Sequence, residues 1–175
     1  MQQILLIPGD PSLADRCVYS MDAYREALKL PEEAGGAMVL CGFQQQIEHP
    51  LAGSAGGVSR GNGRPQIGDI HCCKEVDDMT PILLERCLHG EPLGLGGFTT
   101  QILICNAEGN HLQLRMGYRL SNALITSFTT EIVDGQVMGS STRNASAIEW
   151  HRFNPPGDES VVGWDLTKGR PMKLK

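Results

Sequence analysis

The sequence predicts a mainly β, antiparallel domain with a single well-marked helix, and three observations carry that reading. Residues 111 to 120 alternate strictly, Leu112, Leu114, Met116, Tyr118 and Leu120 falling between His111, Gln113, Arg115, Gly117 and Arg119, which is the period of a strand with one buried face. Asn106-Ala107-Glu108-Gly109-Asn110 separates this run from the β-branched and apolar stretch Thr99 to Cys105, so the two pair as an antiparallel hairpin. Helical signals are confined to one clear segment and one weaker one, too few to supply the crossover that each parallel strand requires.

In chain order, the first strand is Ile4 to Ile7, stopped by Pro8-Gly9, and a weaker helix signal covers Met21 to Lys29 after Ser20. Further strands are expected at Ala37 to Ile47, at Asp69 to Val76 and at Ala123 to Val133 with its turn at Asp134-Gly135. Two more follow at Ala145 to Phe153, where Ile148 and Trp150 share a face, and near Val161 to Leu166. The clear helix spans about residues 80–89. Thr80 is placed to cap it, Pro81 suits the first helical position because the N–H it lacks is unpaired there anyway, and Gly90 suits a left-handed stop. Leu83, Leu84, Cys87 and Leu88 recur at helical spacing and form the stripe expected to face the sheet. Residues 50–68 are too glycine-rich for a regular element and read as a long interaction loop within one domain, 1–175, because neither flank buries a core alone.

Composition narrows the function. A chain of 175 residues suits one core. Its 15 Lys and Arg against 20 Asp and Glu, with no run of five like charges, leave no basic face for phosphates, which argues against nucleic acid as a partner. No apolar run approaches the roughly 20 residues of a membrane helix, so no membrane insertion is expected. Met1 to Gly9 holds no basic segment and only four consecutive apolar residues, so it is not read as a secretory signal and the chain is expected to be made in the cytoplasm. Six cysteines occur without a C-x-x-C pair, mostly inside apolar stretches; reduced, buried thiols are expected, with no metal and no cofactor.

The chemistry-bearing residues do not assemble into a catalytic pattern. No G-x-S-x-G, H-E-x-x-H or P-loop is present, and Gly94-Leu95-Gly96-Gly97 leads into a strand rather than into the helix N-terminus that binds phosphate. His71 and Cys72 are neighbours on a strand and point to opposite faces. Cys87 lies in the apolar stripe of the helix, away from His89 in its last turn. Glu75, Asp77 and Asp78 precede the helix, where acidic groups complement its dipole and cap it. Trp150 and Trp164 are read as core or interface rather than as sugar-stacking platforms.

Several of these residues form an ordered set. Lys74-Glu75-Val76-Asp77, then Thr80-Pro81-Ile82-Leu83-Leu84-Glu85 and Gly90-Glu91-Pro92, resemble the strand-to-helix passage of the hemolysin-coregulated protein (Hcp) family of bacterial type VI secretion. Tyr118 to Phe128 resembles that family's next strand pair, and Ala147-Ile148-Glu149-Trp150 with Pro155, followed by Gly163-Trp164-Asp165-Leu166, resembles its closing strands. The resemblance covers roughly residues 67 to 168, with further agreement at Ile4 to Gly9 and Cys41 to Pro50. The chain departs from the pattern at 12–36, where an insertion replaces a short turn, and at Cys72-Cys73.

The resemblance implies a compact β-barrel of two packed antiparallel sheets with one flanking helix, like phage tail-tube proteins, and no enzymatic activity. It implies homohexameric rings that stack into a hollow tube, leave the cell without a signal peptide, carry effectors in the lumen, and work with a sheath and a spike protein. Lys74, Glu75, Val76, Pro81, Glu149, Trp150, Gly163, Trp164, Asp165 and Leu166 are the structural motif residues it singles out. The loop at 50–68, with Arg60, Asn62 and Arg64, becomes the candidate ring-stacking contact. A ligand-binding β-sandwich or Cys/His hydrolase sharing these motifs is the alternative, and it requires convergent polar groups in a concave site.

Overall fold

The computed structural model describes residues 1–22, 25–26, 30–32, 34–50, 64–94, 97–109, 111–154 and 158–174. The elements are β1 (Gln2–Ile7), α1 (Pro11–Ala14), β2 (Tyr19–Ser20), β3 (Gly36–Leu40), β4 (Gly42–Gln44), β5 (Ile47–Glu48), β6 (Gln66–Ile67) and β7 (Ile70–Glu75). They continue with α2 (Thr80–His89), β8 (Thr100–Glu108), β9 (His111–Ser121), β10 (Leu124–Val133), β11 (Gln136–Asn144), β12 (Ala147–Asn154), β13 (Asp158–Asp165) and β14 (Arg170–Pro171). An eight-stranded sheet runs in the order β14-β13-β12-β9-β8-β1-β3-β2, and a four-stranded sheet in the order β10-β11-β7-β4. A ribbon of β5 and β6 stands apart, and every pairing is antiparallel.

The main core lies between the large and small sheets. Leu6, Met38, Ile102, Tyr118, Leu120 and Ile148 from the large sheet meet Ile70, Cys72 and Ile125 from the small one, with Met79 and Leu83 at the start of α2. Phe43 tilts against Tyr118 with ring centroids 4.7 Å apart, a favourable aromatic geometry.

Residues 12–36, expected to be an insertion, have a structural role that the sequence did not disclose. Met21, Leu30, Ala34 and Ala37 pack with Leu5, Ile7, Leu103 and Cys105 on the other face of the large sheet. That sheet therefore has two buried faces, and one residue accommodates both. Ile104 pairs with Met116 but Cys105 pairs with Leu114, so Arg115 is an extra, bulged residue. The bulge sends Leu112 and Leu114 to the second cluster while Met116, Tyr118 and Leu120 stay with the first. The unbroken alternation read from sequence thus serves two faces rather than one.

Other expectations are corrected. The single strand expected at Ala37 to Ile47 is three, because the chain leaves the large sheet after Leu40, turns at Cys41, and enters the small one at Gly42. β11, the small sheet's inner strand between β10 and β7, was not read at all: Gly139-Ser140-Ser141-Thr142 has neither apolar alternation nor bulk. α1, a single turn capped by Asp10, whose carboxylate accepts the Ser12 amide at 3.0 Å, was also missed. Of the helix expected at Met21 to Lys29, residues 23–24 and 27–29 lie outside the described ones, and Arg25-Glu26 is a turn.

α2 has the expected span, and Gly90 closes it at φ 63° with its amide bonded to the last-turn carbonyls. The cap differs. Thr80 is the first helical residue, Met79 holds the N-cap position without a side-chain bond, and Asp77 caps the turn that leads into the helix, its Oδ1 accepting the Met79 amide at 3.0 Å while the Thr80 hydroxyl accepts the Asp77 amide at 3.1 Å. The stripe is also rotated: Leu83 is buried, but Leu88 is 83% exposed. Arg86 ties the helix to the loop after β1 through a 2.9 Å ion pair with Asp10. Burial alone would raise the Asp10 pKa, but the bonds from Ser12 and the Arg86 cation outweigh it and hold it below the usual carboxylate range.

Residues 170–172 dock on β13. β14 pairs with β13, and the Met172 amide donates to the Gly163 carbonyl at 2.9 Å. A Cβ at Gly163 would stand 3.1 Å from the Met172 and Leu174 side chains, so the absence of a side chain there admits the tail.

Candidate assembly surface

The motif residues fall into separate places rather than one cleft. Lys74 points inward, 3% exposed, with its ammonium donating to the Glu75 carbonyl at 2.7 Å and to Asp77 Oδ1 at 2.5 Å. Glu75 and Val76 are exposed beside it, and Pro81 sits in the first turn of α2. At the far side of the large sheet, Trp150 packs against the main core while its indole N–H donates to Gln45 Oε1 at 2.8 Å, anchoring the chain just after β4. Glu149 lies on the opposite face of β12. Gly163, Trp164 and Asp165 end β13, and Leu166 packs against the core. Asp165 closes the following turn, accepting from the Thr167 hydroxyl at 2.6 Å and the Lys168 amide at 3.0 Å. Those two bonds hold its pKa down at about 2.

Of the loop residues, Arg60 and Asn62 lie outside the described ones, and Arg64 is exposed. The described flanks form the β5–β6 ribbon, with Ile47 opposite Ile67 and Glu48 opposite Gln66. The ribbon brings the two ends of the 50–68 segment together.

One constellation sequence reading missed resembles catalytic machinery. His151 is 4% exposed and places Nδ1 2.6 Å from Glu159 Oε1 and Nε2 2.9 Å from Glu149 Oε2. Both ring nitrogens are thereby engaged by carboxylates, and neither is left to take a proton from a hydroxyl or thiol nucleophile. The group clamps β12 to β13. His71 and Cys72 point to opposite faces of β7, as expected. Among the described residues no group of three or more His, Cys, Asp or Glu could hold a metal ion, and no helix is long and apolar enough to cross a membrane.

What the molecule offers instead is sheet edge. β10 runs for 10 residues, pairs among the described residues only with β11, and leaves Ile132 75% exposed near its end. β4 forms the opposite edge of the small sheet, where its known partner is β7. The face of this sheet turned away from the core is small and hydroxylated: Ser127, Thr129, Ser140 and Thr142 line a shallow groove with Gln44 and His71.

Comparison with known families decides what this architecture is. The family model for the type VI secretion system effector Hcp matches residues 32–151, well over half of the chain. The chain belongs to the Hcp family. Solved structures show the same fold. Hcp1 from Salmonella typhimurium superposes with a TM-score of 0.67 at 13% identity, covering 98% of this chain and 99% of that one. A type VI secretion system effector from Yersinia pestis gives 0.63 at 11% identity over 93% and 98%. The secreted Hcp3 of Pseudomonas aeruginosa gives 0.60 at 13% identity over 94% and 99%. No curated protein sequence matches. The family match begins at residue 32, so most of the 12–36 segment, whose Met21, Leu30 and Ala34 cover the large sheet, lies outside the part matched by the family model.

Proposed function

We propose that this Hcp-family chain is a non-catalytic wall subunit of the type VI secretion tube, closing into a six-membered ring through the edges of its small sheet. The observation that carries the reading is the long β10 edge. An edge of that length with exposed apolar side chains is a template for pairing, which monomeric proteins blunt with charge, proline or a covering segment. β10 of one copy set beside β4 of the next makes a head-to-tail contact that is the same at every junction, and such a contact closes into a ring when the rotation allows. The hydroxylated face of the small sheet then forms the inner wall, a surface with few large apolar groups to trap a passing effector. The 50–68 segment, gathered by the β5–β6 ribbon, makes the polar contact to the next ring, with Arg60, Asn62 and Arg64 as its ionic and hydrogen-bonding groups. Sheath, spike protein and effectors are the expected partners, and the subunit leaves the cytoplasm with the apparatus.

Native mass measurement of the purified protein tests the ring: the expected species is six times the 19.0 kDa chain. A monomer at every concentration overturns it. Replacing residues 51–63 by a short glycine-serine turn is expected to leave rings intact and abolish long tubes in electron micrographs; unimpaired tubes would remove the loop from the stacking contact.

A further inference from the structure

Cys41 occupies the turn at which the chain crosses from the large sheet to the small one, and Cys73 lies in β7 alongside it. The Cys41 amide donates to the Cys73 carbonyl at 2.9 Å, which holds the two backbones at the spacing a disulfide spans. Their thiols are close enough for Cys73 to raise the Cys41 pKa. Cys41 is exposed and Cys73 half-buried, whereas the adjacent Cys72 turns into the main core. The pair is thus distinct from the inert, buried thiols Cys72 and Cys105.

We infer that Cys41 and Cys73 form a dithiol modification site that closes to an intramolecular disulfide when the protein meets an oxidising low-molecular-weight disulfide. In the first step one thiol loses its proton and its sulfur attacks the small disulfide, forming a mixed disulfide and releasing one small thiol. The second cysteine, likewise deprotonated, attacks the protein sulfur of that bond and releases the second small thiol. The protein loses two protons and two electrons, and the small disulfide is reduced to two thiols. Burial, the neighbouring Cys73 thiol and the Glu75 carboxylate push the Cys41 thiol up to about 11, so the Cys41 thiolate is scarce at neutral pH. A chain in reducing surroundings stays open. Once closed, the bond ties the sheet crossing to β7 and encloses β4, the ribbon and the 50–68 segment in one covalent loop. The bond needs no second copy, because both sulfurs belong to one chain.

The test is to equilibrate the purified chain with oxidised glutathione at mildly alkaline pH and map the products by mass spectrometry. The expected product has lost two hydrogens, carries no glutathione, and yields a peptide linking Cys41 to Cys73. Closing a loop of about thirty residues should raise the Tm by roughly 5–15 °C relative to the reduced protein. Cys41→Ser and Cys73→Ser should abolish both the link and the shift, while Cys72→Ala should keep them. A stable glutathione adduct on Cys41 without closure, a link between two chains, or a link through Cys72 overturns the inference. Because the wild-type product is itself decisive, the result does not depend on any variant folding.

Discussion

Replacing Arg143 by methionine should stabilise the protein. Arg143 is 1% exposed, at the inner end of β11, opposite Ile125 of β10 and Ile70 of β7. None of its three guanidinium nitrogens has an oxygen or nitrogen acceptor within hydrogen-bond geometry. The Cys72 thiol lies beside it: burial pushes that thiol's pKa up, and the Arg143 guanidinium, as a charge and a weak donor to sulfur, lowers it by less, so no thiolate balances the charge at neutral pH. An isolated buried cation costs several kcal/mol, and replacing buried charge with apolar groups of similar volume commonly gains about 1–4 kcal/mol. Methionine keeps most of the aliphatic stem and fills irregular space. The expected gain in a urea titration is of that size, with an unchanged slope, and a Tm higher by roughly 3–15 °C. Variant and parent must be compared at equal protein concentration, because self-association shifts apparent stability. A methionine variant less stable than its parent by about 1 kcal/mol or more would refute the reasoning, since it would mean that the guanidinium makes bonds worth more than its desolvation.

Two further outcomes test how the strand-to-helix passage and the closing turn are held. Asp77→Ala removes both the cap of the turn into α2 and the Lys74 counterion, leaving the Lys74 side chain, 4% exposed, with one carbonyl partner; because Asp77 is 40% exposed the cost is screened to about 1–3 kcal/mol. Asp77→Asn, which retains an acceptor for the Met79 amide, should recover part of it; equal losses would show that the cap contributes nothing. At the closing turn, the Asp165 pKa is depressed from 3.8 to about 2, so its contribution is complete above 3.8 and fades as pH falls through about 2. The Lys168 amide signal should therefore titrate within that window and become pH-independent in Asp165→Asn; a midpoint at the ordinary carboxylate value would contradict the assigned bonds.

The strands whose residues alternate or are bulky were legible, because burial of one face imposes a period of two on the chain itself. So were α2 and its glycine stop, and the Asp134-Gly135 turn, where both residues take positive φ, 51° and 81°, a conformation that few side chains tolerate. The family was legible too, since its motif residues are spaced along the chain in order. β11 was not, because its side chains are small hydroxyls and glycine and its stability comes from β10 and β7 on either side rather than from its own pattern.

Tertiary structure alone decided the rest. Sequence alternation cannot say which face a strand buries its residues on, and the bulge at Arg115 divides one regular run between two cores. The insertion at 12–36 reads as a departure from the family pattern until Met21, Leu30 and Ala34 are seen to cover the large sheet. Thr80 and Asp77 are equally good caps on paper; in the fold Asp77 takes the Met79 amide, in the turn before the helix, and Thr80 bonds back to the Asp77 amide. Cys41 and Cys73 are 32 positions apart in sequence, and only the antiparallel register of β4 with β7 makes them neighbours. Local periodicity records the burial each residue needs, whereas proximity between distant residues is set by which strands pair, a choice made by the whole fold at once.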